Sequence, residues 1–396
     1  MKTNNLKYTL KAEGIINKIK SQLVKQNDIS FEVNFREGDS YILGSGRPTF
    51  CINILNREGF DAFCSFDQLR FCEAYMNGSI DIEGDMFNLM SIRRIFGDIH
   101  PLQHILRKII PMFIAQVKTD RKAISHHYEY EDDLYLSFMD KTRCYSQAIF
   151  EKESESLEDA QRRKLDFVIE SCQLKPGSRV LDVGGGWGVF SEYAGLKSIE
   201  VTSLTISKHS EQFIKKLIER LKIPCEVKFS DFYEYSSTKL YDAIVILGVM
   251  EHLTRYKEVV KQFGRLLKPG GMVYIDASSD RKKNSKPTFL GRYVFPGNHS
   301  YFCLHDFLTY VAKSSFEVKN VYNDRYSYYL TCKQWAKNLE NSRKEIVARW
   351  EESLYRLFKL YLWGSAESFY NGTLDAYRVV LQRFNENNKT VHNHIS

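Results

Sequence analysis

The chain has eight cysteines in 396 residues, and no two of them form a Cys-x-x-Cys pair. Cys51, Cys64, Cys72, Cys144, Cys172, Cys225, Cys303 and Cys332 thus suggest neither a zinc site nor a disulfide framework, and reduced cytosolic thiols are the plain reading. The start, Met1-Lys2-Thr3-Asn4-Asn5, lacks an apolar signal core, and no window is long and apolar enough to span a membrane. A cytoplasmic chain that meets membranes only peripherally is expected. No basic helix with interleaved stacking aromatics is present, which argues against nucleic acid as a partner. The formal charge of +7 is a mild excess that suits an anionic lipid surface. An apolar fraction of 43% allows a sizeable core, and the length allows two or three domains.

The most informative run is Val180-Leu181-Asp182-Val183-Gly184-Gly185-Gly186-Trp187-Gly188. A strand stops at a glycine turn, and a helical pattern opens at Val189. Glycines let the backbone come close to a ligand, and the helix N-terminus offers free N–H groups. In open α/β sheets this turn is where nucleotide-like molecules bind. Asp182 would order the loop or catch a ligand ammonium. Two absences narrow the ligand. No Gly-Lys-Ser/Thr follows, so a phosphate cradle is excluded. No carboxylate ends the next strand, where Leu204, Thr205, Ile206 and Ser207 stand instead of the acid that holds a dinucleotide ribose. An adenosyl ligand without a pyrophosphate is left.

Around this turn, residues 123–290 alternate strand and helix. The strands are expected at 200–205, 225–229, 243–247 and 272–275, and the helices at 189–196, 207–221 and 254–267, with a turn at Lys268-Pro269-Gly270-Gly271. This rhythm predicts an α/β fold with a doubly wound, mostly parallel sheet. Residues 1–90 read as a small α+β domain, with a helix from Lys11 to Val24, a strand at 30–35 and a hairpin-like element from Glu73 to Asp85. Residues 91–122 read as a basic amphipathic connector. Leu102, Ile105, Leu106, Ile109, Ile110 and Phe113 recur at helical spacing among Arg93, Arg94, Arg107, Lys108, Lys118, Arg121 and Lys122. It would lie on an anionic membrane or bridge domains with a solvated basic face. Residues 123–396 form the third part, with a helical, aromatic-rich tail over 336–384 that is either core or the wall of an apolar channel.

Several segments in this order carry a resemblance. They are Ile124-Ser125-His126-His127-Tyr128, Cys144-Tyr145-Ser146, the glycine turn, Leu204 to Ser207, Glu251-His252, Lys268 to Gly271, Phe295-Pro296-Gly297, Tyr328 with Trp335, and Tyr361-Leu362-Trp363-Gly364-Ser365-Ala366. Together they resemble the cyclopropane-fatty-acyl-phospholipid synthase family of S-adenosylmethionine-dependent methyltransferases. The resemblance extends to Glu73-Ala74-Tyr75-Met76, which looks like the lipid-handling domain of its phospholipid-acting branch. It implies a Rossmann-like methyltransferase that moves the sulfonium methyl to an unactivated double bond in a lipid acyl chain, with S-adenosylmethionine as cofactor. Phospholipid acyl chains or another apolar substrate, an anionic membrane surface and a homodimer are the partners compatible with it. For the cofactor it implies contacts from Tyr145, Ser146, Asp182, Gly184, Gly186, Thr205, Ile206, Ser207, Asp231, Phe232 and Leu247. For catalysis it implies Glu251, Asp276, Tyr328 and Gln147.

The chain departs from the family at two of these. The family grips a bicarbonate ion with a cysteine, a glutamate, a histidine and a tyrosine. Here Gln147 replaces the cysteine and Asp276 the histidine, while Glu251 and Tyr328 remain. Two carboxylates would repel a bicarbonate, which weakens the expected site for it. Asp276 would then serve as the base itself. Methylation without ring closure, N-methylation of another apolar substrate, and a non-catalytic lipid-binding protein are the alternatives.

Overall fold

The computed structural model describes residues 2–23, 29–36, 38–97, 132–283, 285, 287–295 and 299–385. In chain order the helices are α1 (Lys2–Leu23), α2 (Arg57–Cys64), α3 (Gln68–Met76), α4 (Met86–Ser91), α5 (Asp132–Leu136), α6 (Leu157–Ser171), α7 (Val189–Gly195), α8 (Lys208–Leu221), α9 (Tyr256–Leu266), α10 (Leu304–Val311), α11 (Arg325–Asn341), α12 (Arg343–Arg349) and α13 (Glu352–Tyr370). The strands are β1 (Phe31–Phe35), β2 (Ser40–Leu43), β3 (Phe50–Ile54), β4 (Ile80–Gly84), β5 (Arg179–Val183), β6 (Glu200–Thr205), β7 (Cys225–Phe229), β8 (Tyr241–Leu247), β9 (Leu267–Ser279), β10 (Phe316–Asn323) and β11 (Asp375–Arg383). They fall into two compact units.

The first unit takes residues 1–108, 287–293 and 339–367. Its sheet has the order β2-β1-β3-β4, with β1 and β3 parallel. Period-two burial of Phe31, Val33 and Phe35 and of Phe50, Ile52 and Ile54 turns one face inward. The hairpin expected over 73–85 is instead the end of α3 followed by β4. Asp67 caps α3 by accepting from Arg70 N, and Leu69, Phe71, Cys72, Ala74 and Tyr75 bury its inner face. Helical spacing of apolar side chains outweighs glycine punctuation there. Arg93, read as part of a connector that either meets a membrane or bridges domains with a solvated basic face, is committed inside this unit: it pairs with Glu367 at 2.9 Å and donates to Gly364 O at 2.9 Å. The rest of the amphipathic pattern, from Leu102 through Lys122, lies outside the described residues, as do Ile124 to Tyr128, Pro296 and Gly297.

The second unit takes residues 109–286, 294–338 and 368–396 and carries a seven-stranded sheet, β10-β11-β9-β8-β5-β6-β7. Strands β9, β8, β5, β6 and β7 run parallel, β11 lies antiparallel between β9 and β10, and β10 at the edge runs in the same sense as the other five. The near-continuous burial of β5 and β8 fits central strands covered on both faces. This is the expected doubly wound fold, with two corrections. Lys268 to Gly271 does not end a turn before the strand but sits within β9, where the register with β8 shifts between Tyr241 and Ala243. The tail is not helical throughout: after α13 it forms β11, whose Val379, Val380 and Leu381 are buried between β9 and β10.

Candidate active site

The site sits at the carboxyl ends of β5, β6 and β8, where parallel sheets open toward ligands. β5 ends at Val183 and turns sharply. Gly184 has φ +85°, and a Cβ there would lie 2.5 Å from Val249 Cγ2, so no other residue fits without displacing its neighbour. Gly186 also has positive φ, +51°, but a Cβ there would meet only Gly184 O at 3.9 Å. Its face is open and points at free space. β6 ends in Thr205, and Ser207 caps α8 by accepting from Ser210 N at 3.3 Å. Ser210 Oγ in turn donates to Gly186 O at 2.5 Å, which ties the second turn to the first.

Between these ends lies a cavity open to solvent at its mouth. Gly184, Gly186, Thr205, Ile206, Ser207, Asp231 and Phe232, all anticipated as cofactor contacts, line it. Val183, Leu204, Val249 and Leu253 add apolar walls, and Gly248 and His252 complete it on the β8 side. The residues fit an adenosyl group. Apolar side chains make a slot for a flat base. Asp231 lines it too, with Oδ1 accepting from Tyr233 N at 2.8 Å. The bare backbone at Gly186 leaves room for the remainder.

Tyr145, Ser146, Asp182 and Leu247 do not line this cavity. Asp182 is buried and accepts from Ser203 Oγ at 2.7 Å, and burial lifts its carboxyl to about 6. This contact ties β5 to β6 just before the turn. Tyr145 packs in an aromatic group with Tyr135, Phe138, Trp187 and Trp335. Tyr328 extends this group, stacked on Phe369 at 4.3 Å with its edge toward Trp335. Such faces can hold a cation in a dry setting.

Glu251 follows β8 in the short turn Met250–His252. It is buried. Its Oε1 accepts from Ser278 N at 2.7 Å and from Ser278 Oγ at 2.6 Å, while Oε2 has no hydrogen-bond partner among the described residues. Burial raises its carboxyl to about 7, and Ser278 opposes the rise. Tyr328, its phenol pushed well up by burial, lies within electrostatic reach of Glu251. Gln147 is also buried. It donates to Asp324 Oδ2 at 3.2 Å and leaves its Oε1 without a partner.

Asp276, expected as a base, is enclosed. Oδ1 accepts from Gly248 N at 2.8 Å, Oδ2 accepts from Ser146 Oγ at 3.4 Å, and Lys164 Nζ lies 3.7 Å from Oδ2. Burial raises its pKa, and Lys164, Ser146 and Gly248 N pull it back. Both oxygens are engaged, so its geometry is that of a structural counter-ion and not of a group reaching for a substrate proton. Sequence reading missed Lys164, Gln161 and Ser278. No local signal marks them, because each is defined by partners far along the chain.

A family model for mycolic acid cyclopropane synthetase matches residues 115–379, and one for a domain of unknown function matches 18–94. The cyclopropane-fatty-acyl-phospholipid synthase of Escherichia coli is 27% identical over 350 residues, covering 85% of this chain and 88% of its own. A sphingolipid C9-methyltransferase of Candida albicans is 24% identical over 336 residues, covering 79% of this chain and 65% of its own. Among solved structures, a mycolic acid cyclopropane synthase complexed with S-adenosylhomocysteine is 26% identical with a TM-score of 0.62, covering 66% of this chain and 98% of its own. The chain thus belongs to the mycolic acid cyclopropane synthetase family and is an S-adenosylmethionine-dependent methyltransferase.

Proposed function

We propose that the enzyme methylates a double bond in a lipid acyl chain and closes a cyclopropane ring there. The observation that carries this reading is Glu251: a wholly buried carboxyl, fixed through one oxygen by Ser278, with the other oxygen unpartnered and a pKa of about 7. An alkene is a poor nucleophile, so donor and acceptor must be held close and in line. S-adenosylmethionine supplies the electrophilic methyl. The cation left on the acyl chain would be sheltered by Tyr145, Tyr328 and Trp335. Glu251 Oε2 would then take the proton whose loss lets the ring close, a task suited to a group with a pKa near the working pH. Asp276, held by Lys164, would balance charge. Tyr145 and Ser146 would support the cofactor's methyl end, and Gln147 would occupy the place of the family's cysteine. Two carboxyl groups in place of a carboxyl and an imidazole disfavour a bound bicarbonate.

A second reading is methylation without ring closure. It is favoured by the relatives named sphingolipid C9-methyltransferase. Residues 1–90 would handle lipid, the connector 91–122 would meet an anionic membrane, and residues 123–396 would carry the chemistry, in a cytoplasmic enzyme that binds membranes peripherally. Mass spectrometry of lipids from cells expressing the protein tests the reading. A gain of one CH₂ per acyl chain with loss of the double bond means a ring. The same gain with unsaturation kept means a branch. No change in any acyl chain, with methylation of an added amine, would overturn both.

A further inference from the structure

Beside the cofactor cavity a lysine is sealed inside the fold. Lys164, on α6, is 0% exposed, and Gln161, one turn earlier on the same face, is also 0% exposed. A buried ammonium is costly unless it is paired and hydrogen-bonded, and an apolar side chain would fill the same space. Its contacts therefore call for a reason. Lys164 Nζ donates to Ser146 Oγ at 2.7 Å and Cys144 Sγ at 2.9 Å and lies 3.7 Å from Asp276 Oδ2. Gln161 Nε2 donates to Ser146 O at 2.9 Å. Ser146 presses on Gly248, where a Cβ would come within 2.9 Å of its own, and Gly248 lines the cavity. Helix α6 is thus linked, through two side chains one turn apart, to the wall that meets the ligand.

We propose that Lys164 is a positioning residue for methyl transfer: with Gln161 it pins the Tyr145–Ser146 segment against Gly248, and it supplies the counter-charge that keeps Asp276 a carboxylate. Burial opposes the Lys164 ammonium, but Cys144 and Asp276 beside it outweigh that and raise its pKa. The other groups around Asp276 do not replace it. Glu251 and Asp324 add negative charge, Tyr274 and Tyr328 are held neutral by burial, and Arg378 is committed to Asp324. The inference rests on the cavity as the cofactor site and adds how its inner wall is held.

The test uses full-length Lys164→Met and the double variant Lys164→Met/Asp276→Asn, with S-adenosylmethionine affinity from calorimetry and a pH–rate profile on unsaturated phospholipid vesicles. Lys164→Met is expected to weaken cofactor binding about tenfold or more through misplacement of the wall. It should also move upward the inflection at which Asp276 takes up a proton, a step separate from the Glu251 titration near 7, because Asp276 loses its cation. The double variant should regain stability, lose that inflection and stay weak in affinity. A folded Lys164→Met with unchanged affinity and profile would overturn the proposal. If Lys164→Met does not fold, wild-type affinity in the double variant would do the same. Calorimetry makes no reference to the lipid product, so failure of the alkene reading would show in the vesicle assay alone.

Discussion

The cavity at the strand ends and the polar layer beside it meet at Gly248 and are built in opposite ways. The cavity is made by leaving side chains out: Gly184 and Gly186 expose backbone, and short residues at the end of β6 spend their hydroxyls on capping and on each other. The layer is made by packing charge in. Lys164, Asp276, Ser146 and Cys144 are almost fully buried and bonded to one another. In the closed layer the charges are bonded to one another, because an unpartnered group in a low-dielectric interior is costly. Glu251 lies between the two regimes, with one oxygen satisfied and one not. Gln147 shares that division: its Nε2 donates to Asp324, and its Oε1 is open among the described residues.

The largest effect should come from breaking the closed layer. Asp276→Asn leaves the Lys164 ammonium buried without its counter-ion, and loss of one partner of a buried pair costs about 3–5 kcal/mol. Urea unfolding should show this as a large drop in midpoint. A variant as stable as the parent would mean that Lys164 is neutral in the folded protein.

Glu251→Gln should be nearly silent in cofactor affinity yet cost about a hundredfold in rate, the lower range for removal of a positioned acid–base group. Wild-type rates on unsaturated vesicles would remove Glu251 from the chemistry. The pH dependence sharpens the point. The carboxyl is raised by burial to about 7, so the rate should climb as pH passes through about 7. Stability should run the other way. A carboxyl raised in the folded state lends its stability below the unfolded value of about 4.3 and loses it as pH rises through the folded one. Unfolding free energy should therefore fall between about 4.3 and 7, and Glu251→Gln should flatten that part of the curve.

On the open side, Gly186→Val puts a branched side chain at a positive φ into free space that the ligand needs. Cofactor affinity should fall about tenfold or more, or about 1.4 kcal/mol, by calorimetry on folded protein. Unchanged affinity would move the ligand away from the turn. The smallest effect should be that of bicarbonate: its removal by degassing should leave the rate within experimental error. Strict dependence on added bicarbonate would return Glu251 to the role of an anion holder.

Much of the second unit was legible because its signals are local. Strand, glycine turn and helix from Arg179 to Gly195 follow one another in a single stretch, and the capping serine of α8 sits where the strand ends. The element at 73–85 was misread because two glycines looked like hairpin punctuation, while the cap at Asp67 and the helical spacing stand upstream of them. The strand β11 was missed because its neighbours β9 and β10 lie far away in sequence, so nothing nearby announces the pairing.

Sequence alone determined the alternating β/α order, the glycine turn and the nature of its ligand, because backbone geometry and helix caps depend on residues a few positions apart. Tertiary structure alone decided which polar groups do what. Lys164 follows Arg162 and Arg163 and reads as one more charge on a solvated helix, yet helix phase and the packing of β9 place it at 0% exposure against Asp276. Ser278 reads as a strand-end serine, yet it fixes one oxygen of Glu251 and leaves the other open. A side chain's charge state and hydrogen-bond capacity are set by what surrounds it, and that environment comes from strands and helices that only folding brings together.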